Sequence, residues 1–150
     1  MKILLTGATG YIGKRLLPIL IDQGFEVVCC VRDKNRFPSE GIYKHSNVSL
    51  VEVDFLKDIQ SSGSSSNIIK DIDAAYYLIH SMSSNVKDFG PLEKISANNF
   101  INLVKLTSIK QIIYLGGITN KEKLSKHLAS RKRVEEILYS SGIPLTSIKA

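Results

Sequence analysis

The chain has 150 residues, 43% of them hydrophobic, and carries 20 lysines and arginines against 14 aspartates and glutamates for a net charge of +6. That length fits one domain over residues 1–150, and the apolar share excludes a disordered polymer. The basic residues are scattered, and their densest group, Arg131-Lys132-Arg133, sits beside Glu135 and Glu136, which reads as a solvated helix face and argues against a nucleic-acid surface.

In chain order, Lys2 to Thr6 reads as a strand. Tyr11 to Gln23 reads as a helix with Ile12, Leu16, Leu17 and Leu20 on one face and Gly24 as its stop. Pro18 lies inside that helix, where it removes one backbone hydrogen bond. Glu26 to Val31 is a nearly continuous apolar run, typical of a parallel strand covered on both faces. Val48 to Val53 predicts a third strand, Ser61 to Asn67 an exposed serine-rich loop, and Ala74 to Ile79 a fourth strand. Asp88 to Leu106 predicts a long helix, Gln111 to Leu115 a fifth strand, Ser125 to Tyr139 a further helix ended by Gly142, and Leu145 to Lys149 a sixth strand.

This alternation predicts an α/β fold, a doubly wound parallel sheet of the Rossmann type. The expected strand order is 3-2-1-4-5-6, with a ligand at the carboxyl ends of strands 1 and 4. The chain ends in an apolar strand. That reads as a piece of a longer protein whose C-terminal substrate part is missing, and its free sixth-strand edge favours a homodimer. A natural end after a short sixth strand is the alternative.

Cys29 and Cys30 are adjacent on a strand and so face opposite ways, which excludes a metal site and an ordinary disulfide between them. Two buried thiols suit a reducing cytoplasm. Met1 to Leu5 begins like a leader, but Gly7, Gly10 and Gly13 interrupt the apolar run too soon. No stretch is long enough to span a bilayer, so no membrane partner is expected.

Thr6-Gly7-Ala8-Thr9-Gly10-Tyr11-Ile12-Gly13 joins the first strand to the first helix. Its glycines allow a tight turn, close approach of backbone to a pyrophosphate, and close packing of the helix, whose free N–H groups face the anion. The spacing predicts dinucleotide binding by Gly7, Thr9, Gly10, Tyr11, Ile12 and Gly13. At the end of the second strand, where an NAD site usually carries an acid, stands Arg32, followed by Asp33. An arginine fork suits a ribose 2′-phosphate, so NADP(H) is favoured over NAD(H), with Asp33 the alternative contact to a 2′-hydroxyl. Lys34 and Arg36 add positive charge. Asp54, in Val53-Asp54-Phe55, can accept from the adenine amino group or cap a turn. Phe55 follows it, and Ile79, His80 and Ser81 are expected to line the middle of the cofactor.

Residues 6–13, Val-Asp-Phe at 53–55, Tyr-Tyr-Leu-Ile-His-Ser-Met at 76–82 and Ile-Tyr-Leu-Gly-Gly at 113–117 resemble the atypical short-chain dehydrogenase/reductase superfamily. Within it they resemble the NmrA-like, NAD(P)H-binding group, often labelled nucleoside-diphosphate-sugar epimerase. The resemblance implies a Tyr-x-x-x-Lys pair on the helix after strand 5, the lysine lowering the tyrosine pKa while the tyrosine moves a proton. The matching positions hold His127 and Arg131, and the usual serine or threonine near the end of strand 5 meets Gly116 and Gly117, with Thr119 the nearest hydroxyl. Two functions follow. One is an oxidoreductase or nucleoside-diphosphate-sugar epimerase with an atypical or lost active site, acting on an unidentified small molecule. The alternative is a non-catalytic NAD(P)H-sensing regulatory or interaction module.

Overall fold

A computed structural model describes residues 1–57, 69–80, 90–118 and 125–150. Six strands form because short β-branched and apolar runs are each bounded by turn residues. They are β1 (Lys2–Thr6), β2 (Glu26–Val31), β3 (Val48–Glu52), β4 (Ala74–Tyr77), β5 (Gln111–Gly116) and β6 (Leu145–Lys149). Their order is β3-β2-β1-β4-β5-β6, and every neighbouring pair is parallel. This is the doubly wound Rossmann arrangement with β1 beside β4 at the centre, where the strand order reverses.

Three helices connect the described strands: α1 (Tyr11–Asp22), α2 (Gly90–Val104) and α3 (Lys126–Tyr139). Alternation along the strands divides the core into two layers. Leu4, Val28, Cys30, Ala75, Tyr77, Ile112 and Tyr114 pack on one face against Ala97, Phe100 and Val104 of α2 and Val134 and Leu138 of α3. Ile3, Leu5, Val27 and Cys29 pack on the other against Leu17, Leu20 and Ile21 of α1. Cys29 and Cys30 therefore sit in different layers, both as free thiols, and burial pushes the Cys29 thiol up to about 12. Among the described residues no helix is long and apolar enough to cross a membrane.

Several boundaries differ from expectation. β4 ends at Tyr77 rather than Ile79 because the Leu78 amide donates to the Thr6 hydroxyl (2.9 Å) and leaves the ladder. β3 ends at Glu52, one residue early, where the chain turns at Asp54. Ile12 is not on the buried face of α1. It is 41% exposed, while Gly13, Leu17, Leu20 and Ile21 form that face. α2 closes in a tight turn, with the Leu106 and Thr107 amides donating to the carbonyls of Leu103 and Val104. The serine-rich segment at 61–67, Ser81 and Thr119 lie outside the described residues.

Candidate functional site

The carboxyl ends of β1, β2, β3 and β4 open into a cleft of about 650 Å³. Its floor is the turn after β1. Gly7 has φ +67°, and a Cβ there would lie 2.8 Å from the Leu78 carbonyl oxygen, so β4's exit packs directly on the turn. At Gly13 a Cβ would stand 2.2 Å from the Gly7 carbonyl oxygen and 2.7 Å from the Ala8 Cα, so only glycine lets the first turn of α1 close on the loop. Gly10 caps α1 without any side-chain hydrogen bond, and no acidic residue occupies the first turn. The helix thus begins with free N–H donors and its positive end facing the cleft, the arrangement that suits a phosphate oxyanion. Thr9 and Tyr11 are exposed on the rim with Ile12, and the Arg15 guanidinium lies 3.7 Å over the Tyr11 ring.

The wall at the end of β2 is basic. Arg32 and Arg36 both line the cleft and are exposed, and among the described residues neither has an ion-pair partner. Asp33 lines the cleft as well, and one oxygen of its carboxylate caps the short 3-10 turn Lys34–Arg36 by accepting from the Asn35 amide (2.9 Å). The Lys34 amide donates to Glu52 (2.9 Å). Asp54 lines the cleft and also holds a turn, accepting from the Leu56 amide (3.1 Å) and facing Lys57 at 3.8 Å. Phe55 lends the cleft one wall, but its ring is buried edge-on against Phe100. Asn99 of α2 fixes this segment by donating to the carbonyls of Phe55 (2.8 Å) and Lys57 (3.0 Å).

The profile of the NAD(P)H-binding family matches residues 7–149, essentially the whole structure just described. The chain belongs to the NAD(P)H-binding family. A ketoreductase, AdrE, of Penicillium rubens is 25% identical over 114 residues, covering 75% of this chain and 34% of that protein. Solved structures share the fold. A nucleoside-diphosphate-sugar epimerase from Staphylococcus aureus superposes at a TM-score of 0.76 with 20% identity, over 99% of this chain and 50% of that one. Two others carry different cofactors: the Bordetella bronchiseptica enzyme WbmH in complex with NAD+ (TM-score 0.71, 18% identity, 99% and 55% covered) and Candida albicans Gre2 in complex with NADPH (TM-score 0.75, 13% identity, 99% and 56% covered). The chain spans about a third of the ketoreductase and about half of these structures. They accord with the resemblance to atypical short-chain dehydrogenases/reductases and nucleoside-diphosphate-sugar epimerases carried by the loop and strand-end motifs.

In this NAD(P)H-binding chain the inner end of the cleft is built from His80, Leu92, Ser96 and Leu115. The Thr6 hydroxyl anchors that end, donating to the Tyr76 carbonyl (3.0 Å) while it accepts from Leu78. Behind His80 lies a polar cluster. Its Nε2 is 3.0 Å from an Arg131 guanidinium nitrogen, and its Nδ1 is 3.9 Å from Glu93 Oε1. Glu93 is buried, and its other oxygen accepts from the Ser130 hydroxyl. Burial pushes the Glu93 carboxyl up, but His80, Ser130 and the nearby His127 outweigh it and hold the group below the ordinary glutamate value. His127 and Arg131 sit on the first turns of α3, half-buried. Arg131 reaches the cleft through His80, and His127 is not part of the cleft wall. A side chain at Gly117 would press on Leu128 and Arg131, so this glycine lets α3 close over the end of β5.

The glycine turn, Arg32, Asp54 and His80 thus converge on one cleft, as their positions in the sequence predict. Sequence reasoning missed Glu93, Ser130 and the anchoring role of Thr6. Glu93 had a signal: it shares the apolar stripe of α2 with Ala97, Phe100, Ile101 and Val104, and a carboxylate in such a stripe needs a partner.

Proposed function

We propose that this chain is the cofactor half of an NADP(H)-dependent oxidoreductase or nucleoside-diphosphate-sugar epimerase of the short-chain dehydrogenase type, with an atypical catalytic end. The observation that carries the cofactor reading is the end of β2. There Arg32 lies exposed on the cleft without an acidic partner among the described residues, while one oxygen of Asp33 is taken by the Asn35 amide. A dinucleotide laid along the cleft puts its pyrophosphate on the N-terminus of α1 and its 2′-phosphate beside Arg32 and Arg36. Asp54 and Phe55 then face the adenine, and the nicotinamide half reaches His80. Bound there, the group supplies hydride transfer. The chain's own residues supply orientation, charge and exclusion of water.

His127 and Arg131, standing where the family carries tyrosine and lysine, favour a second reading, a non-catalytic NAD(P)H-sensing module. The glycine turn serves both functions, and the fold does not choose between them. For the whole protein we propose a cytoplasmic location and a homodimer, with an unidentified small-molecule substrate and no nucleic-acid or membrane partner.

Calorimetric titration with NADPH and NADH tests the cofactor assignment. A charge-assisted hydrogen bond contributes about 1.5–3 kcal/mol, so NADPH should bind about 10- to 100-fold more tightly. Arg32→Ala should lose that margin and leave NADH affinity nearly unchanged, because the pyrophosphate contacts are common to both. Added salt should narrow the preference, since the loop is exposed. Equal affinity of the wild type for both cofactors would transfer the ribose contact to Asp33 and end the NADP(H) assignment.

A further inference from the structure

The cluster behind the inner end of the cleft joins three elements: His80 after β4, Glu93 in the first turn of α2, and Ser130 and Arg131 on α3. Its hydrogen-bond logic is determined by donor type. A guanidinium only donates, so the His80 Nε2 that faces Arg131 at 3.0 Å must accept. The ring proton therefore belongs on Nδ1, which faces Glu93 Oε1 at 3.9 Å. That oxygen is buried and has no hydrogen-bond partner among the described residues, whereas Glu93 Oε2 is taken by Ser130. A buried carboxylate oxygen without a donor is costly. The His80 Nδ1–H faces it, about 1 Å beyond ordinary hydrogen-bond reach.

We propose that His80, oriented by Glu93, is the proton-transfer residue of this site and does the work of the absent Tyr-x-x-x-Lys pair. This rests on the dehydrogenase-type reading above and names the group that completes it. The ring lines the cleft and its side chain is 25% exposed, so it can meet a substrate, while Glu93 cannot and acts as a positioning residue. In alcohol oxidation the substrate O–H bond breaks and its proton forms an N–H bond at Nε2, in the place that Arg131 holds in the free protein. The carbon's hydride leaves for the oxidised nicotinamide. The resulting imidazolium turns its Nδ1–H toward the Glu93 carboxylate, 3.9 Å away, whose charge offsets the new one. Carbonyl reduction returns the same proton from Nε2 to the new alkoxide. Among the described residues, the charged and titratable groups facing the ring are Glu93 from α2 and Arg131 from α3, with His127 acting on Glu93 from the same helix. On β5 the Tyr114 hydroxyl is directed to the Arg131 carbonyl.

Nitrogen-15 NMR of the histidine rings, on the wild type and on Glu93→Gln and Glu93→Asp, tests this without turnover. His45 serves as an internal control: it lies outside the cleft, with its Nδ1 accepting from the Asn47 amide (3.1 Å). Neutral His80 should carry its proton on Nδ1, opposite to the tautomer that free histidine prefers. The His80 Nδ1 resonance should move in Glu93→Gln, which removes the facing carboxylate charge, and return in Glu93→Asp. Adding NADPH should move the His80 signals and leave those of His45 in place. An Nε2–H tautomer, an Nδ1 resonance indifferent to Glu93→Gln, or His80 signals indifferent to bound NADPH would each overturn the proposal. Calorimetry on the same samples keeps the two readings apart: loss of NADPH binding in the wild type refutes the cofactor reading, whereas binding with an indifferent His80 refutes this inference alone.

Discussion

At Gly13 a methyl group would meet two backbone atoms, the Gly7 carbonyl oxygen at 2.2 Å and the Ala8 Cα at 2.7 Å. Backbone cannot rotate aside as a side chain can, so either the turn or the first turn of α1 must shift. Gly13→Ala should lower stability by roughly 1–3 kcal/mol, the usual cost of forced overpacking. It should also weaken NADPH and NADH alike, because both use the displaced N–H groups. Urea unfolding and calorimetry on one preparation check the two effects. Glu93 gives a prediction of the opposite kind, one of pH. Its carboxyl is held below the ordinary glutamate value of 4.5, so the folded protein binds this proton less readily than the unfolded chain. The sign follows from linkage: the contribution is present above the ordinary glutamate value and is lost as pH falls through the lower folded value. Glu93→Gln should therefore be less stable than the wild type at neutral pH, with the difference narrowing below about pH 4.5, near the unperturbed glutamate value. Urea midpoints measured from pH 3 to pH 7 test this, and a difference that stays constant or widens on acidification would contradict it.

At the scale of elements, α1 carries two opposed features. Its N-terminus is kept open by Gly10 and by the absence of acidic residues from the first turn. Its interior carries Pro18, which is exposed and leaves the Lys14 carbonyl without its usual helical donor. Nothing in the cleft uses Pro18. Replacing an interior helical proline by alanine recovers about 3 kcal/mol of helix propensity and loses about 1 kcal/mol through a freer unfolded chain, so Pro18→Ala should stabilise by roughly 2 kcal/mol. The urea midpoint should rise with an unchanged slope. What was legible in the sequence at this scale follows from local physics. β1, β2 and β6 are bounded by turn residues and were placed residue for residue. The ends of β3 and β4 were not, because the Thr6 hydroxyl and the Asp54 turn end them through contacts that strand periodicity does not encode. The glycine turn was legible because its chemistry lies in one continuous segment. The His80–Glu93–Ser130 cluster was not, because its members come from three elements separated by 13 and 37 residues, and only the sheet order brings them together.

For the whole molecule, strand order decides where chemistry can occur. β1 and β4 are neighbours although they are separated in sequence by two other strands. The crevice at their carboxyl ends therefore receives the phosphate turn from β1, the basic corner from β2 and His80 from β4. Over β5 and β6 the face opposite α2 and α3 is less well covered by the described residues: Ile113 and Leu115 are partly exposed and Ile148 is 51% exposed. The chain spans about half of the solved structures that share its fold. We propose that one cleft holds an NADP(H) molecule end to end, with its 2′-phosphate at Arg32 and its nicotinamide half at His80. The crystal structure of the chain soaked with NADPH tests it most directly. The account predicts pyrophosphate oxygens on the amides of Tyr11 and Ile12, the 2′-phosphate within hydrogen-bond distance of Arg32, and the nicotinamide ring beside His80. A dinucleotide bound with its adenine end at His80, or with its 2′-phosphate turned away from Arg32 into solvent, would contradict it.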